Sequence, residues 1–146
     1  MQSRYIAAAT LVIGGVASCS SQSPAQPTLP EGALAAGTAQ VIIDAAGSKT
    51  TGDVRCQTIQ SLTSVVIGQT GGEVTLLVDN ATAPTAKAVT FNNVGGFTGS
   101  YWTHLQGSAQ ITMVDRTYSI TGTADGFAAE HPSTRTAETF AVKVAC

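Results

Sequence analysis

Charged side chains are scarce in this sequence: Asp, Glu, Lys and Arg make up 11% of the 146 residues, for a net charge of −2. No run of Lys or Arg occurs anywhere. Phosphate backbones and anionic headgroups are recognised by clustered cations, so this composition argues against a nucleic-acid partner. There are two histidines, His104 and His131, and nothing around them has the spacing of metal ligands. Aromatic residues are few, with a single Trp. Convincing helical stripes of apolar residues are absent, and no apolar run is long enough to cross a bilayer as a helix. What the chain has instead is glycine, fifteen in all, with abundant Thr, Ala and Val. That combination points to strands joined by tight turns. The length allows one domain.

The longest apolar run, residues 5–16 (YIAAATLVIGGV), follows Arg4. At about 12 residues it is too short to span a hydrocarbon core of ~30 Å and has the flanks of a signal-peptide core. It runs into Val16-Ala17-Ser18-Cys19, which resembles a bacterial lipobox: a branched apolar residue, two small ones, then cysteine. The small residues allow a peptidase to approach the backbone. The thiol accepts a diacylglyceryl group, and cleavage frees the Cys19 amine for a further acyl chain, palmitate being typical. Two acyl chains hold a protein on a membrane stably where one does so marginally. The expectation is a signal peptide over residues 1–18 and a lipid anchor at Cys19 on the extracytoplasmic face of the cell membrane.

Residues 19–38 read as the lipidated cysteine and a linker. Pro24, Pro27 and Pro30 stand among small and polar residues without apolar periodicity, a composition that extends rather than folds. Fully extended, it would reach roughly 55 Å. Ser20, Ser21, Ser23 and Thr28 are candidate O-glycosylation sites.

Residues 39–146 read as an all-β domain, an antiparallel β-sandwich-like or partly closed barrel fold. Strands are expected at 40–44, 53–57, 64–67, 73–79, 86–92, 98–102, 108–115, 117–123 and 139–145. Turns are expected at Ala46-Gly47-Ser48, Gly71-Gly72, Asn80 to Pro84, Gly95-Gly96 and the polar stretch from Asp125 to Arg135. Strand lengths with turns at this spacing are those of sandwiches and barrels. The stretch 58–62 is the most helix-like piece.

In the last strand Phe140, Val142, Val144 and Cys146 share one face. In the second, Val54 and Cys56 share the apolar face, so both cysteines are expected to point inward. Three cysteines are an odd number, and lipidation of Cys19 leaves one pair. A Cys56–Cys146 disulfide is therefore expected, in keeping with export, closing nearly the whole domain.

Chemistry is harder to find. Ser133, His131 and Asp125 contain triad elements, but no G-x-S-x-G surrounds Ser133 and all three fall in one polar stretch. His131 with Glu130 and Asp125 is the best metal candidate, and it too lacks ligand spacing. Asn80-Ala81-Thr82 matches the N-glycosylation pattern but reads as a turn. The glycine-rich segment from Gly95 to Gly99 precedes no helix, so it is not a phosphate cradle. Tyr101 and Trp102 are adjacent on a strand, so one faces in and the other out. Trp102 is expected in the core. Facing outward instead, with Phe97 or Tyr101 near it, it would offer an aromatic platform to a sugar or a protein.

Several segments resemble the mycobacterial LpqH-type lipoprotein antigens. They are Val41-Ile42-Ile43-Asp44, Thr51-Gly52-Asp53-Val54-Arg55-Cys56, Tyr118-Ser119-Ile120-Thr121-Gly122-Thr123-Ala124-Asp125-Gly126 and Phe140 to Cys146. The Asn92-Asn93-Val94-Gly95-Gly96 turn is similar as well. The resemblance covers residues 39–146 in patches. It implies a cell-envelope lipoprotein without established enzymatic activity or cofactor, O-mannosylated in its linker. It also implies an antigen that host pattern-recognition receptors sense through the acylated N-terminus. The linker here is shorter and poorer in Thr than the family's, a departure that bears on the mannosylation and not on the anchor. The expected function is thus a non-enzymatic, membrane-anchored surface antigen acting in host or envelope contacts. The alternative is a small-molecule or lipid carrier facing the cell wall, which would need an apolar cavity of roughly 300–1,000 Å³.

Overall fold

The structure, a computed structural model, describes residues 28–46 and 49–146. The expected leader, lipobox, Cys19 and first part of the linker, including Ser20, Ser21 and Ser23, lie outside the described residues, as do Gly47 and Ser48.

Among the described residues ten strands form: β1 (Ala39–Ile43), β2 (Lys49–Thr51), β3 (Val54–Ile59), β4 (Leu62–Gln69), β5 (Gly72–Asp79), β6 (Thr85–Val94), β7 (Phe97–Trp102), β8 (Ser108–Val114), β9 (Thr117–Ala128) and β10 (Thr136–Ala145). Every pairing is antiparallel, in the order β2-β1-β10-β9-β7-β6-β5-β4-β3, with β8 also on β9. The sheet curls until its ends approach, and a disulfide between Cys56 of β3 and Cys146, just past β10, ties them. The all-β expectation holds, as a nearly closed barrel.

Alternation drives the curl. Thr63, Val65 and Ile67 of β4, Val74, Leu76 and Val78 of β5, and Phe140, Val142 and Val144 of β10 are buried at every second position, as period-2 strands with one covered face require. Phe91 is fully buried, its ring centroid 5.1 Å from Phe140 and 6.1 Å from Phe97. Tilted aromatic packing at these distances contributes beyond area burial alone.

The Tyr118 to Gly126 segment has a structural reason for its glycines. β9 pairs with β10 along one edge; on the other it pairs first with β8 over 117–123 and then with β7 over 125–128. A Cβ on Gly122 would collide with the Ser108 carbonyl oxygen, and one on Gly126 with that of Thr98. Two strands can share one edge of β9 because its backbone is bare at these points.

Several boundaries differ from the expectation. Residues 58–62 form no helical turn: Ile59 pairs with Leu62 and Gln60, at φ 55°, turns a two-residue hairpin. Gln60 carries no turn signature, which is why the hairpin was illegible. β9 continues to Ala128, four residues into the stretch expected as loop, and β10 begins at Thr136 rather than 139. β2 was not expected at all. By contrast the Gly95-Gly96 turn forms as expected, both residues having positive φ (57° and 82°), as a tight two-residue hairpin demands.

Candidate functional site

The barrel has two unlike poles. At one, the incoming chain is fastened: the Leu34 N–H donates to Thr117 Oγ1 at 2.9 Å and the Gly37 N–H to the Ala145 carbonyl at 2.8 Å. Thr117 is 1% exposed, so the incoming backbone satisfies a hydroxyl otherwise shut away from water. Residues read as free linker therefore lie against the domain from Leu34 onward.

The disulfide sits at this pole. The Cα atoms of Cys56 and Cys146 are 5.9 Å apart, within the range a disulfide spans. Cys56 pairs in register with the buried Val65 and so shares the inward face. Its expected burial does not follow. β3 is the end strand of the path, all but Val54 of its residues are exposed, and Cys56 is among them.

Asn80 joins the β5 end to the interior of the same pole. Its Nδ2 donates to Thr63 Oγ1 at 3.0 Å and to Tyr118 Oη at 2.9 Å, which occupies both amide hydrogens. The Asn80-Ala81-Thr82 motif is thus a structural corner. Beside it, the Ala81 N–H donates to Asp79 Oδ1 at 3.0 Å. That bond first, then a hydrogen bond from Ser61 and, least, the nearby Lys87 ammonium hold the Asp79 carboxyl below its usual 3.8; burial opposes them, by less than either hydrogen bond and more than Lys87 favours.

At the opposite pole a cleft of about 570 Å³ opens between the end of β1, the β4–β5 turn, the β6–β7 turn, the end of β9 and the start of β10. Val41, Val94 and Phe97, all buried, contribute its apolar wall. Asp44, Glu130 and Glu138 bring carboxylates, and Gln69 an amide. The Gln69 Nε2 is buried with no hydrogen-bond partner among the described residues. These residues are scattered over nearly a hundred positions of sequence, and no motif announces them. The nearest signal was the Gly95-Gly96 pair, whose turn forms one wall of the cleft.

The remaining expected site residues are not brought together. Tyr101 is the inward residue, donating to the Ala86 carbonyl at 3.2 Å and sharing a 2.8 Å hydrogen bond with Thr103 Oγ1. Trp102 is 45% exposed, not in the core, because β7 alternation puts Tyr101 inside and leaves Trp102 outside. Phe97 and Tyr101 are both buried, so Trp102 has neither as a partner in an exposed aromatic platform. His104, His131 and Ser133 are exposed. No hydrogen bond links the side chains of Ser133, His131 and Asp125, and no group of three His, Cys, Asp or Glu among the described residues is placed to hold a metal ion.

Comparison with known proteins gives the family. The model of the Mycobacterium 19 kDa lipoprotein antigen matches residues 32–146, which include the chain's fastening point, all ten strands and the disulfide. A relative in Mycobacterium avium subsp. hominissuis is 30% identical over 149 residues, spanning 100% of this chain and 97% of its own. Lipoprotein LpqH of Mycobacterium tuberculosis and that of Mycobacterium bovis are each 29% identical over 150 residues, covering 97% of this chain and 94% of theirs. On the match over residues 32–146, the chain belongs to the Mycobacterium 19 kDa lipoprotein antigen family.

Proposed function

We propose that the protein is a non-enzymatic lipoprotein of the cell envelope, anchored through acylated Cys19, whose acylated end is what host pattern-recognition receptors detect and whose barrel is the antigen it carries. The family match over residues 32–146 supports this reading most directly. The geometry agrees with it: the chain coming from Cys19 meets the barrel at one pole, fastened by Leu34 and Gly37, so the other pole is free to face outward. Acylation at Cys19 uses the lipobox chemistry of Val16, Ala17 and Ser18, and two or more acyl chains suffice for a stable anchor.

A Cys19→Ala variant expressed in a mycobacterial host should lose acyl labelling, leave the membrane fraction and fail to activate a receptor reporter cell. Retention in the membrane with unchanged receptor activation would refute the anchor and the signal together.

Carriage of a lipid inside the barrel finds less support. Phe91, Ile67, Leu76, Ile120 and seven further fully buried side chains occupy the interior, where a lipid carrier would need an apolar cavity.

A further inference from the structure

The exposed apolar side chains of the barrel gather at one pole, the one where the chain from Cys19 enters. Ile59 and Leu62 are cross-strand partners at the tip of the β3–β4 hairpin, and both are exposed, Ile59 by 65%. Trp102 and Leu105 stand on the turn after β7, where Leu105 is 81% exposed. Met113 and Val114 end β8 and are exposed as well. Hydrogen bonds place these three turns around the same mouth. The Asn80 N–H donates to the Ser61 carbonyl in the β3–β4 turn at 2.7 Å, and the Asn80 amide reaches Tyr118, the partner of Met113. The Thr103 hydroxyl donates to the Ala86 carbonyl at 2.9 Å, and Ala86 pairs with Val78, two residues before Asn80. Leu29, on the incoming chain, is exposed too. Among the described residues no large apolar side chain is exposed at the cleft pole.

Apolar groups held in water in this number mark a surface that another surface covers. They stand on three separate turns, so a broad surface covers them together and a single peptide segment does not. The tether brings such a surface within reach. From Cys19 to Leu34 the backbone extends no further than about 50 Å, so a bilayer holding acylated Cys19 is always near this pole. A short tether raises the local concentration of its two ends enough for a weak contact to be populated. The residue types suit the boundary of acyl chains and headgroups, where an indole keeps its ring in an apolar layer and its N–H near water. Charge points the same way. Asp79 is paired with Lys87 at 3.8 Å and Asp115 adjoins Arg116, so the charges of the rim balance. Asp44, Glu130 and Glu138 bring three carboxylates to the cleft pole, which anionic headgroups repel.

We infer that the tether pole docks on the lipid bilayer that holds the acyl chains, with Ile59, Leu62, Trp102, Leu105, Met113 and Val114 as its contact rim. The inference rests on the acylation of Cys19 proposed above and adds that the barrel lies on the membrane surface rather than clear of it.

The test uses the full acylated protein in phosphatidylcholine vesicles, with Trp102, the sole tryptophan, as reporter. Flotation with the vesicles reads the anchor. Quenching of Trp102 by phosphatidylcholine brominated high on its acyl chains reads the docking. Trp102 should be quenched by the brominated lipid and shielded from acrylamide in the water. Leu105→Asp, at a position too exposed to threaten folding, should still float and should lower the ratio of docked to free barrel about tenfold. Met113→Ser should lower it severalfold, and Glu130→Gln, at the cleft pole, should leave it unchanged. Protein that floats with Trp102 unquenched by brominated lipid overturns the docking and leaves the anchor standing. Protein that does not float overturns the anchor and the docking with it. Quenching as strong in Leu105→Asp as in the native protein overturns the assignment of the rim. Acrylamide shielding that rises with protein concentration, without quenching by lipid, overturns it as well and gives the face to a second copy of the chain.

Discussion

Asp79 shows how much one carboxylate does in a chain so poor in charge. It accepts the Ala81 N–H, which turns the chain out of β5, and lies 3.8 Å from the Lys87 ammonium. Because these partners lower its pKa in the folded state, its contribution to stability is present above the unfolded value near 3.8 and is lost as pH falls through the lower folded value. The side chain is solvent-accessible, so the effect is modest and screened by salt. Thermal melts of native protein and Asp79→Asn between pH 6 and pH 2 should converge on acidification, the native melting temperature falling more steeply below about pH 4. Parallel curves would show that the Asp79 contacts contribute nothing. Next to it, Asn80 illustrates a residue whose role the sequence disguised. Its motif suggested a glycosylation acceptor or a solvent turn, and its amide in fact braces Thr63 against Tyr118 inside the fold.

Among the elements, β3 is the one that depends on a covalent tie. Among the described residues it pairs only with β4, only Val54 of its side chains packs partly on the core, and no strand lies beyond its far edge. The Cys56–Cys146 bridge joins it to the chain end beyond β10 across 90 residues of sequence. Closing a loop of that length is worth roughly 4–5 kcal/mol in the chain-entropy treatment. A Cys56→Ser, Cys146→Ser double variant should lose about that much stability in denaturant unfolding, and amide exchange should rise first in β3 and the last residues of β10. Uniform exchange with unchanged stability would mean that the bridge is dispensable. Because Cys56 is exposed, a mild reductant should cleave the bridge without denaturant.

These elements also show what was readable beforehand. The faces of β10 and the pairing of the two cysteines followed from period-2 alternation and from the odd cysteine count, both local in sequence. Which strand would stand at the sheet edge is a property of the strand order, so the exposure of Cys56 was out of reach. The Gly95-Gly96 turn announced itself through residues that positive φ demands, whereas Gln60 makes the same kind of turn without any such signature. The cleft was the least legible part: Asp44, Gln69, Glu130 and Glu138 meet only because the barrel closes.

For the whole molecule, the two poles differ in build. The chain from Cys19 is fastened at one, where Leu34 and Gly37 bond to Thr117 and Ala145, and the cleft opens at the other. With the chain anchored at Cys19 as proposed, the cleft lies at the pole away from the point where the chain joins the barrel. The proposed function rests most on Cys19 being the mature, acylated N-terminus. Mass spectrometry of the N-terminal peptide of the membrane-extracted protein tests this directly. The expected peptide begins at Cys19 and carries a diacylglyceryl group, with or without an amide-linked acyl chain. A peptide beginning at Met1, or one with an unmodified Cys19, would contradict it.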